Sequence, residues 1–323
     1  MAFPIAIDRA QSRAAQYSSF RGTLAAAALL GLSLMPSAAS ACACGCGIFD
    51  VGTSSLFASG TGGTVFFEYD FVNQRANRSG TSAAPSAANE DKKVRTDFFT
   101  VGGQYMFSRD WGAMVKVPVV QRHFETTESG SLEAFDHTAL GDIRLMGVYS
   151  GISDDMSTGI VFGAKLPTGD SGYAGFDADV AIGSGSTDLL LGAYHMGGLD
   201  AERNWAWFAQ AMWDQPLLHK SGYRPGAEIN ATLGAYYDDL SLGGETALAP
   251  MLQLIVSHRA KDSGAGAMPA DTGYDRVLIA PGLEFKAGTW KIYADVEVPL
   301  YQDVRGNQLM APEQFKLVMS YAL

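Results

Sequence analysis

Cysteine is almost absent from this 323-residue chain: there are three, at Cys42, Cys44 and Cys46. Three thiols in five residues cannot form the framework of disulfides that holds a small secreted domain together. Charge is also sparse, at 18% of residues, and beyond residue 41 no run of 18 or more apolar residues occurs, so no helical membrane span is expected there. Phosphate-cradling glycine loops and the GxSxG nucleophile elbow are missing; Gly183 and Gly185 form a spacer with no helix pattern after it. Basic excess is lacking too. Three of the 23 basic and one of the 34 acidic residues precede Cys42, which leaves 20 against 33, a net charge of about −13. Nucleic acid rewards a basic face, so it is not expected as a partner.

The N-terminus has the parts of an export signal. Arg9, Arg13 and Arg21 precede the apolar run Thr23 to Met35, and Ala39-Ser40-Ala41 supplies a small-residue cleavage site. Residues 1–41 are therefore expected to be a signal peptide. The run is shorter than the ~20 residues a span needs, which argues against a retained membrane helix. Residues 42–62 are expected to form a periplasmic segment and residues 63–323 the folded domain.

That domain is dominated by period-two alternation, the mark of strands with two unlike faces. Val65, Phe67, Tyr69 and Phe71 oppose Thr64, Glu68 and Asp70; Ala113, Val115, Val117 and Val119 oppose Lys116 and Arg122; Ile143, Leu145 and Tyr149 oppose Asp142 and Arg144. Similar segments recur to the end of the chain, where Phe315, Leu317, Met319, Tyr321 and Leu323 alternate up to the terminus. The connections between segments alternate long and short. Ser108 to Asp110 and Ala287 to Thr289 are tight, whereas Gln74 to Lys93, Glu125 to Ala139 and Thr168 to Ser186 are long. Long loops at one end and tight turns at the other characterise transmembrane barrels, and a ten-residue strand tilted ~40° covers about 25 Å of apolar band. The fold expected is all-β: an antiparallel transmembrane β-barrel of about 12 strands, with long extracellular loops and short periplasmic turns, placed in a bacterial outer membrane. Its partners would be outer-membrane lipid, a small-molecule solute and the barrel assembly machinery, which the alternating C-terminal strand would engage although it ends in Leu323 rather than Phe.

Inside such a barrel the polar face is expected to line a solute path. Glu68, Asp70, Lys116, Arg144, Lys165, Asp188, Glu228, Arg276, Glu284, Asp295 and Glu297 fall on that face, where charges must be paired or wet. A mixed-charge pathway and an ion-pair ladder that closes a small barrel are both compatible with this pattern. Pro167, Thr168, Gly169 and Asp170 are expected to end a strand and open a long loop, because proline stops the ladder and glycine permits the turn. The same loop folded into the lumen as a gate is the other reading.

The stretch Lys165-Leu166-Pro167-Thr168-Gly169-Asp170 together with Gly183-Ser184-Gly185-Ser186-Thr187-Asp188-Leu189 resembles the signature of the outer-membrane "phenol degradation meta-pathway" transporter family. The resemblance implies a barrel that admits hydrophobic or aromatic compounds. Passive passage of small solutes is accordingly the expected function, with no enzymatic activity.

Two alternatives use other residues. Cys42, Cys44 and Cys46 could hold a soft metal ion such as Cu(I), form a disulfide with one thiol left over, carry a lipid on Cys42, or anchor a periplasmic redox partner. No other cofactor is expected. Of the five histidines, His137 beside Asp136 is the best candidate for an acid-base pair of a rim hydrolase.

Overall fold

The computed structural model describes residues 60–200, 204–220, 222–238 and 240–323. The cysteine-bearing segment and the expected signal peptide lie outside the described residues.

Thirteen principal strands follow in order: β1 (Gly62–Gln74), β2 (Asp91–Met106), β3 (Trp111–Thr126), β4 (Glu133–Leu140), β5 (Ile143–Tyr149), β6 (Thr158–Leu166), β7 (Ser186–Gly198), β8 (Trp205–His219), β9 (Glu228–Tyr237), β10 (Thr246–Arg259), β11 (Tyr274–Ala287), β12 (Trp290–Met310) and β13 (Gln314–Ala322). β4 and β5 are two parts of one wall strand. Both pair with β3, through Val119 opposite Leu140 and Lys116 opposite Arg144. Every wall strand pairs antiparallel with its sequence neighbours, and β13 returns to β1 from Thr64 opposite Ala322 to Val72 opposite Gln314. The result is a closed barrel of twelve strands, as expected. Closure satisfies the backbone groups that an open edge would leave bare in lipid. The even count puts both ends of the barrel chain together, and the Leu323 N–H donates to the Gly63 carbonyl at 2.8 Å.

The faces separate as the alternation requires. In β10, Leu252, Leu254 and Val256 are 51%, 39% and 45% exposed, whereas Gln253, Ile255 and Ser257 between them are each 1% exposed. The exposed apolar surface continues around the wall through Val101, Leu145, Phe162, Leu191, Leu233, Leu283 and Phe315. A surface this apolar belongs against acyl chains rather than water. At the end with the tight turns, Trp111 packs on Tyr149, Trp290 on Tyr321 and Trp205 on Tyr237, with ring centroids 4.7, 4.9 and 5.3 Å apart. Such rings form the interfacial girdle of a membrane barrel.

The interior holds apolar side chains as well as the expected charges. Nearer the tight-turn end the inward positions carry Phe66, Met106, Met146, Tyr194, Phe208, Met212, Met251, Tyr293 and Val318, all buried inside the barrel. Several of these rings lie flat on the wall because the cross-strand neighbour is glycine. Phe66 sits opposite Gly102 and Phe208 opposite Gly234, and a Cβ added at those glycines would fall 2.1 and 2.3 Å from the ring. Laying an aromatic over a strand glycine replaces the packing the glycine lacks. It also keeps the ring out of the centre of the lumen.

At the other end the long connections interlock. The far end of β12 pairs with the β1–β2 connection, Asn77 opposite Leu309, and Val94, Phe124, Val180 and Leu309 form a buried cluster beneath the loops.

Candidate functional site: a charged chamber under an inward-folded segment

The site begins at a defect in the wall. Pro118 of β3 has no N–H to donate, and the partner strand breaks at Gly141-Asp142, where the Gly141 N–H still donates to the Pro118 carbonyl at 2.8 Å. Thr168 repairs the gap: its Oγ1 donates to the Gly141 carbonyl and accepts from the Ile143 N–H, both at 2.9 Å. The Asp142 carboxylate then gathers the two halves of the motif. Oδ1 accepts from the Gly169 N–H at 2.9 Å, and Oδ2 accepts from the Ser184 N–H at 2.8 Å and the Ser184 hydroxyl at 2.5 Å. Gly169 and Gly183 meet backbone to backbone, since a Cβ on Gly183 would lie 2.3 Å from the Gly169 carbonyl carbon. Pro167-Thr168-Gly169-Asp170 follows directly on the end of β6 at Leu166 and begins the loop to β7.

That loop does not stay outside. Residues 171–183 turn into the mouth of the barrel, where Val180 is fully buried. Arg122 on the wall donates from Nη1 to the carbonyls of Val180 and Ala181 at 2.6 and 3.0 Å, and from Nε to Thr96 Oγ1 at 2.9 Å. Phe176 packs edge-on against Phe124, and Tyr173 stacks on His137 with centroids 3.9 Å apart. His137 Nε2 lies 2.9 Å from Asp170 Oδ2. Asp136 is engaged elsewhere, 2.8 Å from His123 Nδ1, so the expected His137–Asp136 pair is corrected: adjacent strand residues point to opposite faces. Asp170 is held below the usual carboxylate range by the Gly172 N–H and then by His137. Asp177 is pushed up by burial and by the neighbouring carboxylates of Glu128 and Glu90.

Beneath this segment lies a cavity of about 190 Å³, room for several waters. Of the expected lumenal residues, Glu68, Lys116, Arg144, Lys165, Asp188 and Glu228 line it. Lys116 lies 3.4 Å from Glu68, Lys165 touches Asp188 and stands 3.4 Å from Asp214, and Arg144 approaches the same Asp214 at 3.8 Å. Asp70, Asp295 and Glu297 are also buried inside the barrel. Asp70 and Asp295 face Lys316 across the ladder, with Lys316 Nζ 3.6 Å from Asp70. Arg276 lies over the Tyr274 ring at 4.2 Å, and Glu284 is 3.9 Å from Lys286.

Asp214, Arg122, Arg259 and Lys316 join this interior without having been singled out as site residues. Lys316 was legible, being two residues from Gln314 on the inward parity of β13. Asp214 was obscured because β8 carries Trp205, Trp207 and Trp213 outward while Phe208 and Met212 face inward, which blurs the alternation.

No protein-family model matches the sequence, and no curated protein matches it. Among solved structures, the chain is similar to an outer-membrane channel from Pseudomonas putida F1, at 14% identity and a TM-score of 0.65, covering 85% of this chain and 100% of that one. It is also similar to the β domain of the Bordetella autotransporter BrkA, at 13% identity and a TM-score of 0.51, covering 81% and 100%. At these identities the likeness is one of architecture, and the fold is that of an outer-membrane β-barrel.

Proposed function

We propose that the protein is a passive channel of a Gram-negative outer membrane, passing small solutes through the barrel under the control of the inward-folded segment. The observation that carries this reading is the pairing of a lipid-compatible outer wall with a charged chamber inside it. Buried charges are costly unless paired or solvated, and the chamber lies inside the barrel, lined by wall strands and by the inward-folded segment. The motif halves tied to Asp142 support the resemblance to the phenol-pathway transporter family, and the methionine and aromatic surface below the chamber suits the apolar part of such a solute. The inward segment narrows the mouth, so passage requires its displacement or a route beside it. The His137 geometry favours a docking role over a rim hydrolase, since the imidazole is occupied by Asp170 and Tyr173.

Purified protein in planar bilayers is expected to give discrete conductance steps, and in liposomes to permit swelling by small solutes. A protein correctly inserted in lipid that shows neither would remove the reading.

A further inference from the structure

Between the chamber and the tight-turn end the lumen is filled. Phe66 on β1 and Phe208 on β8 lie flat against the wall over Gly102 and Gly234, an arrangement that in an open pore would leave one face of each ring against water. Yet Phe66 is 4% and Phe208 0% exposed, so other side chains cover the faces turned to the lumen. The cover comes from several strands. Phe66 and Phe208 share one buried cluster with Met251 of β10, Tyr293 of β12 and Val318 of β13, and the Lys116 ammonium of the chamber stands 5.7 Å from the Phe66 ring centroid. A second cluster joins Met106, Met146 and Met212 to Leu190, Ile255 and Leu278, each 6% exposed or less. The polar groups among them bond one another: Thr232 donates to Gln253 Oε1 at 3.4 Å, Gln253 donates to the Tyr293 hydroxyl, and that hydroxyl donates to Asp295 Oδ2 at 2.6 Å. Inward side chains with almost no accessible surface leave no room for a column of water between them.

From this arrangement, and resting on the channel reading, we infer that a dry plug of methionines and rings is the barrier to water and ions, and that Met146 and Met212 are its movable part. A passage lined by apolar groups excludes ions and water because nothing in it replaces the hydrogen bonds they leave behind. The rings have little freedom, pinned between a strand glycine and the side chains that cover them. A methionine side chain is unbranched, with three rotatable bonds, and repacks readily. Met212 belongs to the plug and also lines the chamber, so a solute in the chamber touches a member of the plug. The inward-folded segment and the plug are thus two barriers in series. Hydrogen bonds latch the first, and apolar packing holds the second.

The test is single-channel recording in planar bilayers of the parent, the double variants M146S/M212S and M146L/M212L, and R122A, with insertion checked by heat-modified mobility. The parent is expected to open in brief steps separated by closed intervals. The serine pair gives water a hydrogen-bonding partner inside the plug, so its open fraction is expected to rise about tenfold or more. The leucine pair keeps the level apolar and removes the flexible thioethers, so its open fraction is expected to stay at or below that of the parent. R122A, released at the segment above, is expected still to close between its steps. An unchanged open fraction in the serine pair, an equal rise in both pairs, or uninterrupted opening of the parent or of R122A would overturn the inference while leaving a channel. The last of these outcomes needs no altered plug, so it decides the matter even where a methionine variant fails to assemble. No openings in any of the four, all correctly inserted, would instead overturn the channel reading itself.

Discussion

Arg122 reaches from the wall of the barrel to the carbonyl of Val180, 2.6 Å away, and so joins a lumenal strand to the tip of a loop 58 residues later in the chain. A planar guanidinium can hold two carbonyls and a threonine hydroxyl at once, and here it does so with Val180, Ala181 and Thr96. The loop is therefore part of the interior rather than of the outer surface.

Removing that latch should open the mouth. Arg122→Ala leaves the buried Val180 carbonyl and the half-buried Ala181 carbonyl without this donor, a loss of about 1–3 kcal/mol in docking. Single-channel recordings of the variant are expected to show larger or more frequently open steps than the parent. Identical conductance would mean the segment does not limit flow.

Asp142 should matter for order more than for charge. Its carboxylate accepts three hydrogen bonds from Gly169 and Ser184, and each is worth about 1 kcal/mol or somewhat more with an ionised acceptor. Asp142→Ala is expected to release residues 171–183 to limited proteolysis while the barrel stays folded, as read by heat-modified mobility on gels. A loop that remains protected in the variant would show that Arg122 and the aromatic contacts suffice.

Docking of the loop should have a pH optimum. Asp170 has a lowered folded value, so its contribution is complete above the ordinary carboxylate value and is lost as pH falls through the lowered one. Asp177 is raised by burial beside Glu128 and Glu90, so its contribution is present below the ordinary value and is lost as pH climbs through the raised one. Proteolytic protection of the segment is expected to decline on both sides, and Asp177→Asn to abolish the decline on the alkaline side. A flat profile from acid to neutral pH would contradict this.

The membrane face has its own test. Leu254 is outward and 39% exposed, next to Gln253, which is inward and 1% exposed. Leu254→Arg is expected to cost about 2–4 kcal/mol in a refolding titration in lipid if the residue lies near the midplane. Unchanged folding would place this part of β10 outside the hydrocarbon.

Much of this architecture is written in local pattern. Alternation in segments such as Val65 to Phe71 dictates which side chains face lipid, because neighbouring residues of a strand must point opposite ways. Alternating tight and long connections dictate an up-and-down closed sheet. Lys116, Arg144 and Lys165 were legible as interior charges for the same reason, and Pro167-Thr168-Gly169-Asp170 as the end of a strand. By contrast, the sequence by itself could not say that Phe66 would rest on Gly102, that Asp142 would collect Gly169 and Ser184, or that His137 would turn from Asp136 to Asp170. Those partners stand 27 to 42 residues apart in all four pairs, and only closure of the barrel brings their strands and loops together. Periodicity carries the direction of each side chain, which is a local property of the extended backbone. The neighbour it finds there depends on strand register and on where a long loop comes to rest, and both are decided by packing across the whole barrel.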